Sequence, residues 1–486
     1  MSIGFNKIYE EKAHIKTAED LTQKIISTII DGFLIPGTKL PSVNTIASMV
    51  NLNRLTVLKS LDELEIEGWI NKKMRNGCFV EDELPVDLPK KIGKLNHHRK
   101  SLPALVNHGI SELKQNFYRL SFNDGYPDYR LFPSNEMARI YSTTFKDFQT
   151  KESLLYYDVF GHYRLREQTG RYIQNSRGIA CAADNVLITR GSTMGIYLTT
   201  RITCKQGDIV AMANPGYYAV KELFEAEGLQ ILSIRVDEEG LDTSHLEAQL
   251  KKKTIKLLYV TPHHQYPTTV TMSATRRMEL LRLAEKHNFY ILEDDYDFDF
   301  QYDRRPILPL ASIDQLHRVI YTGGFSKSLS PAIRMGYIIA NEKIIQELGK
   351  WRKIIDRQGD TMQELVFAKL LEKGSIEKTI RKAIKIYLER RDYAYKQITS
   401  ALSPKIKPTF CQGGLAFWTQ FELNYSEMNT LHRAALAENL FFIHPEKFPT
   451  KTGYFSRLGF ASMNKEELDE SIAILKKLLT PNKKIS

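Results

Sequence analysis

Leu21, Ile25 and Ile29, with Ile26 and Ile30 beside them, recur at helical spacing and predict a helix over residues 18–31 that stops at Gly32. A turn through Pro36-Gly37 follows, and Ser42 stands at an N-cap position before a short helical run over 43–49. Val57, Leu61 and Leu64 mark a third helix, which begins after a second capping position at Asn53 and ends near Gly68. Trp69-Ile70 and Cys78-Phe79-Val80 then alternate as short strands around the basic tip Lys72-Lys-Met-Arg-Asn-Gly77. Three helices and a strand pair make a winged helix-turn-helix; the pattern alone also fits a small helical bundle of other purpose.

From residue 118 onward, short apolar runs at 185–189, 208–212, 230–235, 256–261, 290–293, 319–321 and 336–340 alternate with helical patterns. Such alternation predicts a large α/β domain with a mainly parallel sheet covered by helices on both faces, followed by a smaller C-terminal α+β lobe. Between the two patterned regions periodicity is weak, and Lys90, Lys91, Lys94 and His97-His-Arg-Lys100 form a basic cluster. The predicted division is 1–82, a linker over 83–117, and 118–486. The linker's charge suits a solvated tether or one that adds phosphate contacts beside a DNA reader.

Composition narrows this only modestly. With 486 residues, 42% hydrophobic and 26% charged, the chain is an ordinary globular one with room for two or three domains. No apolar run nears the roughly 20 residues that span a bilayer, and the N-terminus lacks the apolar core of a signal peptide, so a cytoplasmic protein without membrane contact is expected. Cys78, Cys181, Cys204 and Cys411 lack metal-ligand or CxxC spacing and are expected to be reduced. A formal charge of +11 suits a nucleic-acid binder without establishing one.

In parallel sheets of this kind ligands sit beyond the carboxyl ends of the strands. Polar clusters fall there. Arg190-Gly-Ser-Thr-Met-Gly195 opens a helix and can offer N–H groups to a phosphate or serve as a plain cap; Asn214-Pro-Gly-Tyr-Tyr218 can lay an aromatic face on a flat ring. Thr261-Pro-His-His-Gln-Tyr-Pro-Thr-Thr269 follows another strand, but His263 and His264 lack partners at metal-ligand spacing. Glu293-Asp-Asp-Tyr-Asp297 ends a strand in acids, one of which could keep a pyridine nitrogen protonated. The last cluster, Tyr-Thr-Gly-Gly-Phe-Ser-Lys-Ser-Leu-Ser-Pro-Ala-Ile-Arg-Met-Gly336, centres on Lys327, which is either a Schiff-base lysine or one more solvated loop cation.

The string Gly32-Phe-Leu-Ile-Pro-Gly-Thr-Lys-Leu-Pro-Ser42, with Asn53-Arg-Leu-Thr-Val57, Leu61-Asp-Glu-Leu64, Glu67-Gly-Trp69 and Gly77-Cys-Phe-Val80, resembles the GntR-type DNA-binding domain. The resemblance implies that the helix from Asn53 enters the major groove of double-stranded operator DNA, with Arg54 on a base and Thr56 near a phosphate. Lys72, Lys73 and Arg75 would meet the backbone or minor groove from the wing, and Ser42 and Asn44 would lie on the same DNA face. Asn44 stands where the family often has arginine, Arg75 replaces the first wing glycine, and Cys78 replaces a threonine.

Residues 118–486 resemble fold-type I, pyridoxal-phosphate-dependent aminotransferases through the Pro-Gly-Tyr217, Glu293-Asp-Asp-Tyr-Asp297, Lys327-centred and Arg457-Leu-Gly-Phe-Ala461 strings. By that resemblance Lys327 forms the internal aldimine with pyridoxal 5'-phosphate, Asp294 pairs with the pyridinium, Tyr296 donates to the phenolate oxygen and Tyr217 stacks on the ring. Ser192, Thr193, Met194, Ser326 and Arg334 cradle the phosphate, Tyr157 reaches the phosphate of the other subunit, and Arg457 grips a substrate carboxylate. Gly324, Thr269 and Tyr266 depart from the pattern, which often has a hydroxyl, a glycine and an asparagine there. The two-part layout is similar to that of the MocR-type transcription regulators. It implies a homodimer on operator DNA that senses pyridoxal phosphate, or a small amino compound, through Lys327. Two alternatives stay open: a working aminotransferase with an accessory N-terminal domain, and a repressor whose large domain has lost its cofactor.

Overall fold

The computed structural model describes residues 8, 14–73, 76–85, 117–147, 154–156, 158–302, 307–315, 317–450 and 452–480. Most of the expected linker, with its basic cluster, lies outside them, as do Arg75 and Tyr157. The chain divides into two compact units, 1–105 and 106–486.

Capping sets where the N-terminal helices begin. In α1 (Ala18–Ile30) the Thr17 hydroxyl accepts from the Asp20 N–H at 3.1 Å while the Asp20 carboxylate accepts from the Thr17 N–H at 2.9 Å. Ser42 caps α2 (Val43–Val50), which ends on left-handed Asn51, and Asn53 caps α3 (Arg54–Ile66) by accepting from the Thr56 N–H at 2.7 Å. Strands β1 (Ile70–Lys73) and β2 (Gly77–Val80) pair antiparallel as the wing, and Lys39 bridges to Phe79. Leu21, Ile25, Ile29, Ile46, Val57, Leu61, Leu64 and Trp69 bury the shared core, the apolar set that the helical spacing picks out.

The larger unit is built on an eight-stranded sheet made of β4 (Val186–Thr189), β5 (Ile209–Asn214), β6 (Gln230–Asp237), β7 (Gly240–Leu241), β8 (Leu257–Val260), β9 (Tyr290–Asp295), β10 (Val319–Gly324) and β11 (Gly336–Ile339), in the order β4-β11-β10-β9-β8-β5-β6-β7. β6, β5, β8, β9 and β10 pair parallel in succession; β11 runs antiparallel to both of its neighbours, and β7 antiparallel to β6. Both faces are covered. Val186 and Ile188 pack with Tyr337 and Ile339 on one side, while Leu187 between them packs with Ile338 and Ile320 on the other. Because successive side chains point to opposite faces, two-sided burial demands unbroken apolar runs.

Helix α4 (Ser192–Thr203) packs on the second of these faces through Ile196 and Leu198. Helix α5 (Ser375–Leu402, 28 residues) joins two cores: Ile376 and Ile380 lie in the sheet's core, Ala394, Ile398 and Leu402 in that of the C-terminal lobe, and Ile384 touches both. That lobe holds the antiparallel strands β12 (Ile406–Pro408), β13 (Ala416–Phe421) and β15 (Tyr454–Gly459) in the order β12-β13-β15, with Phe417, Phe421, Leu458 and Phe460 buried. A short strand, β3 (Leu120–Phe122), pairs parallel with β14 (Leu440–Phe442), so the start of this unit is stitched into its C-terminal lobe.

Candidate functional site

Close backbone contact builds one side of the site. β4 passes through Arg190 and Gly191 into α4, and the strand β11 inserted beside it begins at Gly336. A Cβ on Gly336 would lie 2.7 Å from the Gly191 carbonyl carbon, which excludes a side chain there, while one on Gly191 would press on Arg334 Nη2 at 2.7 Å and sit on a backbone of φ +81° that favours glycine. Arg334 is itself left-handed (φ 52°) and donates from Nη2 to the Arg190 carbonyl at 2.7 Å. The guanidinium is thereby held at the N-terminus of α4, where Ser192, Thr193 and Met194 form the first turn. Gly191 caps that helix with no side-chain acceptor, which leaves backbone N–H groups available to an anion. Met194 Sδ accepts from the Arg190 N–H at 3.4 Å, and Ser326 is half-buried on the turn carrying Lys327.

The strand register places the acids beside that turn, with Asp294 opposite Thr322 across β9 and β10. Each acid of the Glu293–Asp297 run has its own partner. Glu293 accepts from the N–H groups of Leu310 and Ala311, Asp295 faces His263 and accepts from the Tyr321 hydroxyl, and Asp297 lies 2.7 Å from His264 Nδ1. Asp294 accepts from the Tyr259 hydroxyl at 2.7 Å through Oδ2, but its buried Oδ1 has no partner. Burial, reinforced by Asp295 and Asp297 and opposed by Tyr259, pushes the Asp294 carboxyl up to about 7. For Asp295 burial acts the same way, yet His263, Arg177 and the Tyr321 hydroxyl outweigh it and hold the group down to about 2. Asp294 thus combines a raised proton affinity, eased only in part by Lys327, with an unpartnered oxygen, whereas Glu293, also pushed up to about 7, has both oxygens accepting backbone N–H groups.

Lys327 donates to the carbonyls of Asp124 (2.9 Å) and Gly125 (2.8 Å), and Nζ lies 4.9 Å from the Tyr126 ring centroid. Burial lowers its proton affinity; Asp124, Asp297 and Asp294 work against this, and Arg457 works with it. Tyr217 stands with its ring 4.7 Å from that of Tyr266, and Tyr296 donates to the His264 carbonyl at 3.0 Å. Arg457, 1% exposed, sits on β15 opposite Trp418 with its guanidinium over Tyr266. Arg457 Nε lies 2.7 Å from Asp124 Oδ1, an ion pair outside hydrogen-bond geometry. Lys327, Asp294, Tyr296, Tyr217 and Arg457 are thus brought together, with Asp294 and Lys327 each acting on the other's protonation.

Sequence reasoning passed over Asp124, Tyr259 and the His–Asp pairing. Asn123-Asp-Gly-Tyr-Pro127 carries a visible turn signal directly after β3, which was the available clue. Among the described residues no group of three His, Cys, Asp or Glu side chains could hold a metal, all four cysteines are free, and no helix is long and apolar enough to cross a membrane.

On the wing unit Ser42, Asn44, Asn53, Arg54 and Lys73 are exposed. The Thr56 hydroxyl donates to Asn53 Oδ1 at 2.9 Å, so Thr56 and Asn53 form one cap. Lys72 is ion-paired with Asp62 and, at 2.9 Å, with Glu65, which ties the wing to α3. Lys73 and Lys39 lie over the Phe79 ring at 5.1 and 5.6 Å.

These two units define a chain that couples a helix-turn-helix, and with it DNA binding, to an aminotransferase fold. Residues 129–475 match the family "Aminotransferase class I and II" and residues 17–80 match "Bacterial regulatory proteins, gntR family". The chain belongs to the class I and II aminotransferase family and, with its GntR-type helix-turn-helix, is a MocR-type transcription regulator. It is 26% identical over 434 residues to the probable rhizopine catabolism regulatory protein MocR of Rhizobium meliloti, covering 88% of this chain and 83% of that protein. It is also 28% identical to aromatic-amino-acid aminotransferase 1 of Thermococcus litoralis, over 73% of this chain and 86% of that one. The crystal structure of Pyrococcus horikoshii kynurenine aminotransferase superposes with a TM-score of 0.68 at 27% identity, over 74% of this chain and 90% of that chain.

Proposed function

We propose that the regulator has a DNA reader over 1–82, a tether over 83–117 and a sensing domain over 118–486 that holds pyridoxal 5'-phosphate. The observation that carries this is Asp294, a buried carboxylate with one oxygen unpartnered and its proton affinity raised, set beside Lys327. A cationic ring nitrogen is the partner it lacks. When bound, the cofactor supplies an aldehyde that condenses reversibly with primary amines and a ring that draws electrons when protonated. Lys327 offers the primary amine, and its burial favours the neutral, nucleophilic form. Asp294 holds the proton at the ring nitrogen, Tyr217 covers the ring, and Tyr296 serves its phenolate oxygen. Ser192, Thr193, Met194, Ser326 and Arg334 bind the phosphate.

The active form is a homodimer, with Tyr157 reaching the phosphate of the second copy. Exposed apolar side chains at Leu154, Leu155, Tyr156, Ile354 and Ile355 support such an interface, and Arg357 over the Tyr156 ring joins the two segments. The effector is pyridoxal phosphate itself or an amino compound that displaces Lys327. Freeing that side chain and filling the space beside Arg457 alters the half-site spacing that the dimer prefers.

Reduction of the loaded protein with borohydride should leave one cofactor mass on Lys327 and none in Lys327→Ala; an adduct elsewhere, or none, defeats the reading. Footprinting upstream of the chain's own gene should show sequence preference that changes with loading. Equal affinity for all sequences would instead favour a metabolic aminotransferase, for which the joint presence of Lys327, Asp294 and Arg457 speaks.

A further inference from the structure

Among the described residues Asp124 is the one carboxylate ion-paired with Arg457, and it is held there from several directions. Its Oδ2 accepts from the Tyr266 hydroxyl at 3.0 Å while Oδ1 faces Arg457 Nε at 2.7 Å. The turn around it is locked to the strand that carries Arg457. Gly459 donates its N–H to the Asn123 carbonyl at 3.0 Å, Asn123 Oδ1 accepts from the Tyr126 N–H at 2.7 Å, and Gly125 adopts φ +65° where an added Cβ would lie 3.1 Å from Leu415 Cβ. A Cβ on Gly459 would lie 2.5 Å from the Asn123 carbonyl oxygen, so the turn and β15 touch backbone to backbone.

We infer that Asp124 is a specificity-determining residue: it occupies Arg457 as an internal carboxylate, so that the site favours primary amines lacking an α-carboxylate over α-amino acids. The inference rests on Arg457 being the carboxylate-binding position. An incoming α-carboxylate must compete with one tethered at high effective concentration. Winning would strand Asp124, 16% exposed, near Asp294 and Asp297 with its cation taken. An amine with no carboxylate leaves the pair intact. Tyr266, Trp418 and Phe448, packed around Arg457 and its strand, favour an aromatic or apolar body on that amine.

The test uses the full chain and the probe 3-phenylpropanoate, a carboxylate with no amine, titrated calorimetrically into cofactor-free wild type, Asp124→Asn, Asp124→Ser and the double variant Asp124→Asn with Arg457→Gln. Both single variants should bind at least tenfold tighter than wild type, and the Arg457 replacement should abolish the gain. In cofactor-loaded protein, absorbance titrations should show wild type preferring phenethylamine to L-phenylalanine at least tenfold, a ratio that Asp124→Asn narrows. Equal binding of 3-phenylpropanoate by wild type and both Asp124 variants, or a gain that survives loss of Arg457, overturns the inference. A chain that takes up no cofactor would defeat the reading of Lys327 while the carboxylate titration still decides the role of Asp124.

Discussion

The two units handle charge in opposite ways. On the wing unit Arg54, Lys39 and Lys73 lie at the surface, each free to exchange water and counterions for phosphate. In the large unit Arg457, Asp294, Asp295 and Asp297 lie in the interior, each with a few named neighbours and little water. A partner whose charge is spread along a polymer is met by many small, screened contacts; a small molecule is met by few contacts that low dielectric makes strong. Substitutions should therefore act gradually on the first surface and abruptly in the second.

The largest expected effect is at Asp294. Asp294→Asn keeps an acceptor for Tyr259 but removes the anion, and leaving a buried cation alone costs about 3–5 kcal/mol, so cofactor affinity measured by equilibrium dialysis should fall at least a hundredfold. The same residue gives a pH signature. Its folded value of about 7 lies above the ordinary 3.8, so between those limits the folded state holds a proton that the unfolded state has released. The cofactor-free protein should lose stability relative to Asp294→Asn as pH rises from about 4 to 7 and level off above. The loss should total on the order of 4 kcal/mol at about 1.4 kcal/mol per unit. A flat difference in denaturant melts across that range would contradict the buried, cation-seeking acid.

On the reader, Arg54→Ala should cost about 1–3 kcal/mol of operator affinity and relax preference at one base pair. Lys73→Ala should weaken operator and random DNA alike and lower the salt slope by about one. If Arg54→Ala instead abolished binding at every salt concentration, the gradual picture of that surface would fail. The smallest effect is expected for Asn53→Ala, which removes the cap of α3 and should lower the stability of the N-terminal unit by about 1 kcal/mol, read as an earlier helical melt.

Local features were legible in the chain because local rules produce them. Ser42 and Asn53 cap through atoms three residues on, and the two-sided apolar strands announce a covered sheet. The placing of Lys327 near Asp294 was legible for a related reason, since Asp294 lies at the end of β9 and Lys327 on the turn just beyond β10, where this sheet type gathers ligands. The reversal of β11 was not, because alternating strand and helix signals say nothing of strand direction. Nor was the contact of Gly191 with Gly336, which depends on that reversal. Asp124 was hidden most deeply. As sequence it is one residue of a turn, and only the pairing of β3 with β14 and the bond from Gly459 to Asn123 carry it to Arg457. The sequence presents the acids from Glu293 as one run, whereas the fold gives each a different neighbour and leaves one buried oxygen of Asp294 and one of Asp295 without a hydrogen-bond partner, that of Asp295 facing His263.

Helix α5 has a mechanical consequence. One end is embedded in the core of the sheet that carries Lys327, the other in the lobe that carries Arg457. As a stiff rod about 42 Å long at about 1.5 Å per residue, it turns a small pivot into a large stroke, a swing of about 5° moving the far end by about 4 Å. A movement of the lobe is thus carried along this helix as well as through direct bonds to the sheet domain, such as Gly414 N–H to the Phe300 carbonyl at 2.8 Å.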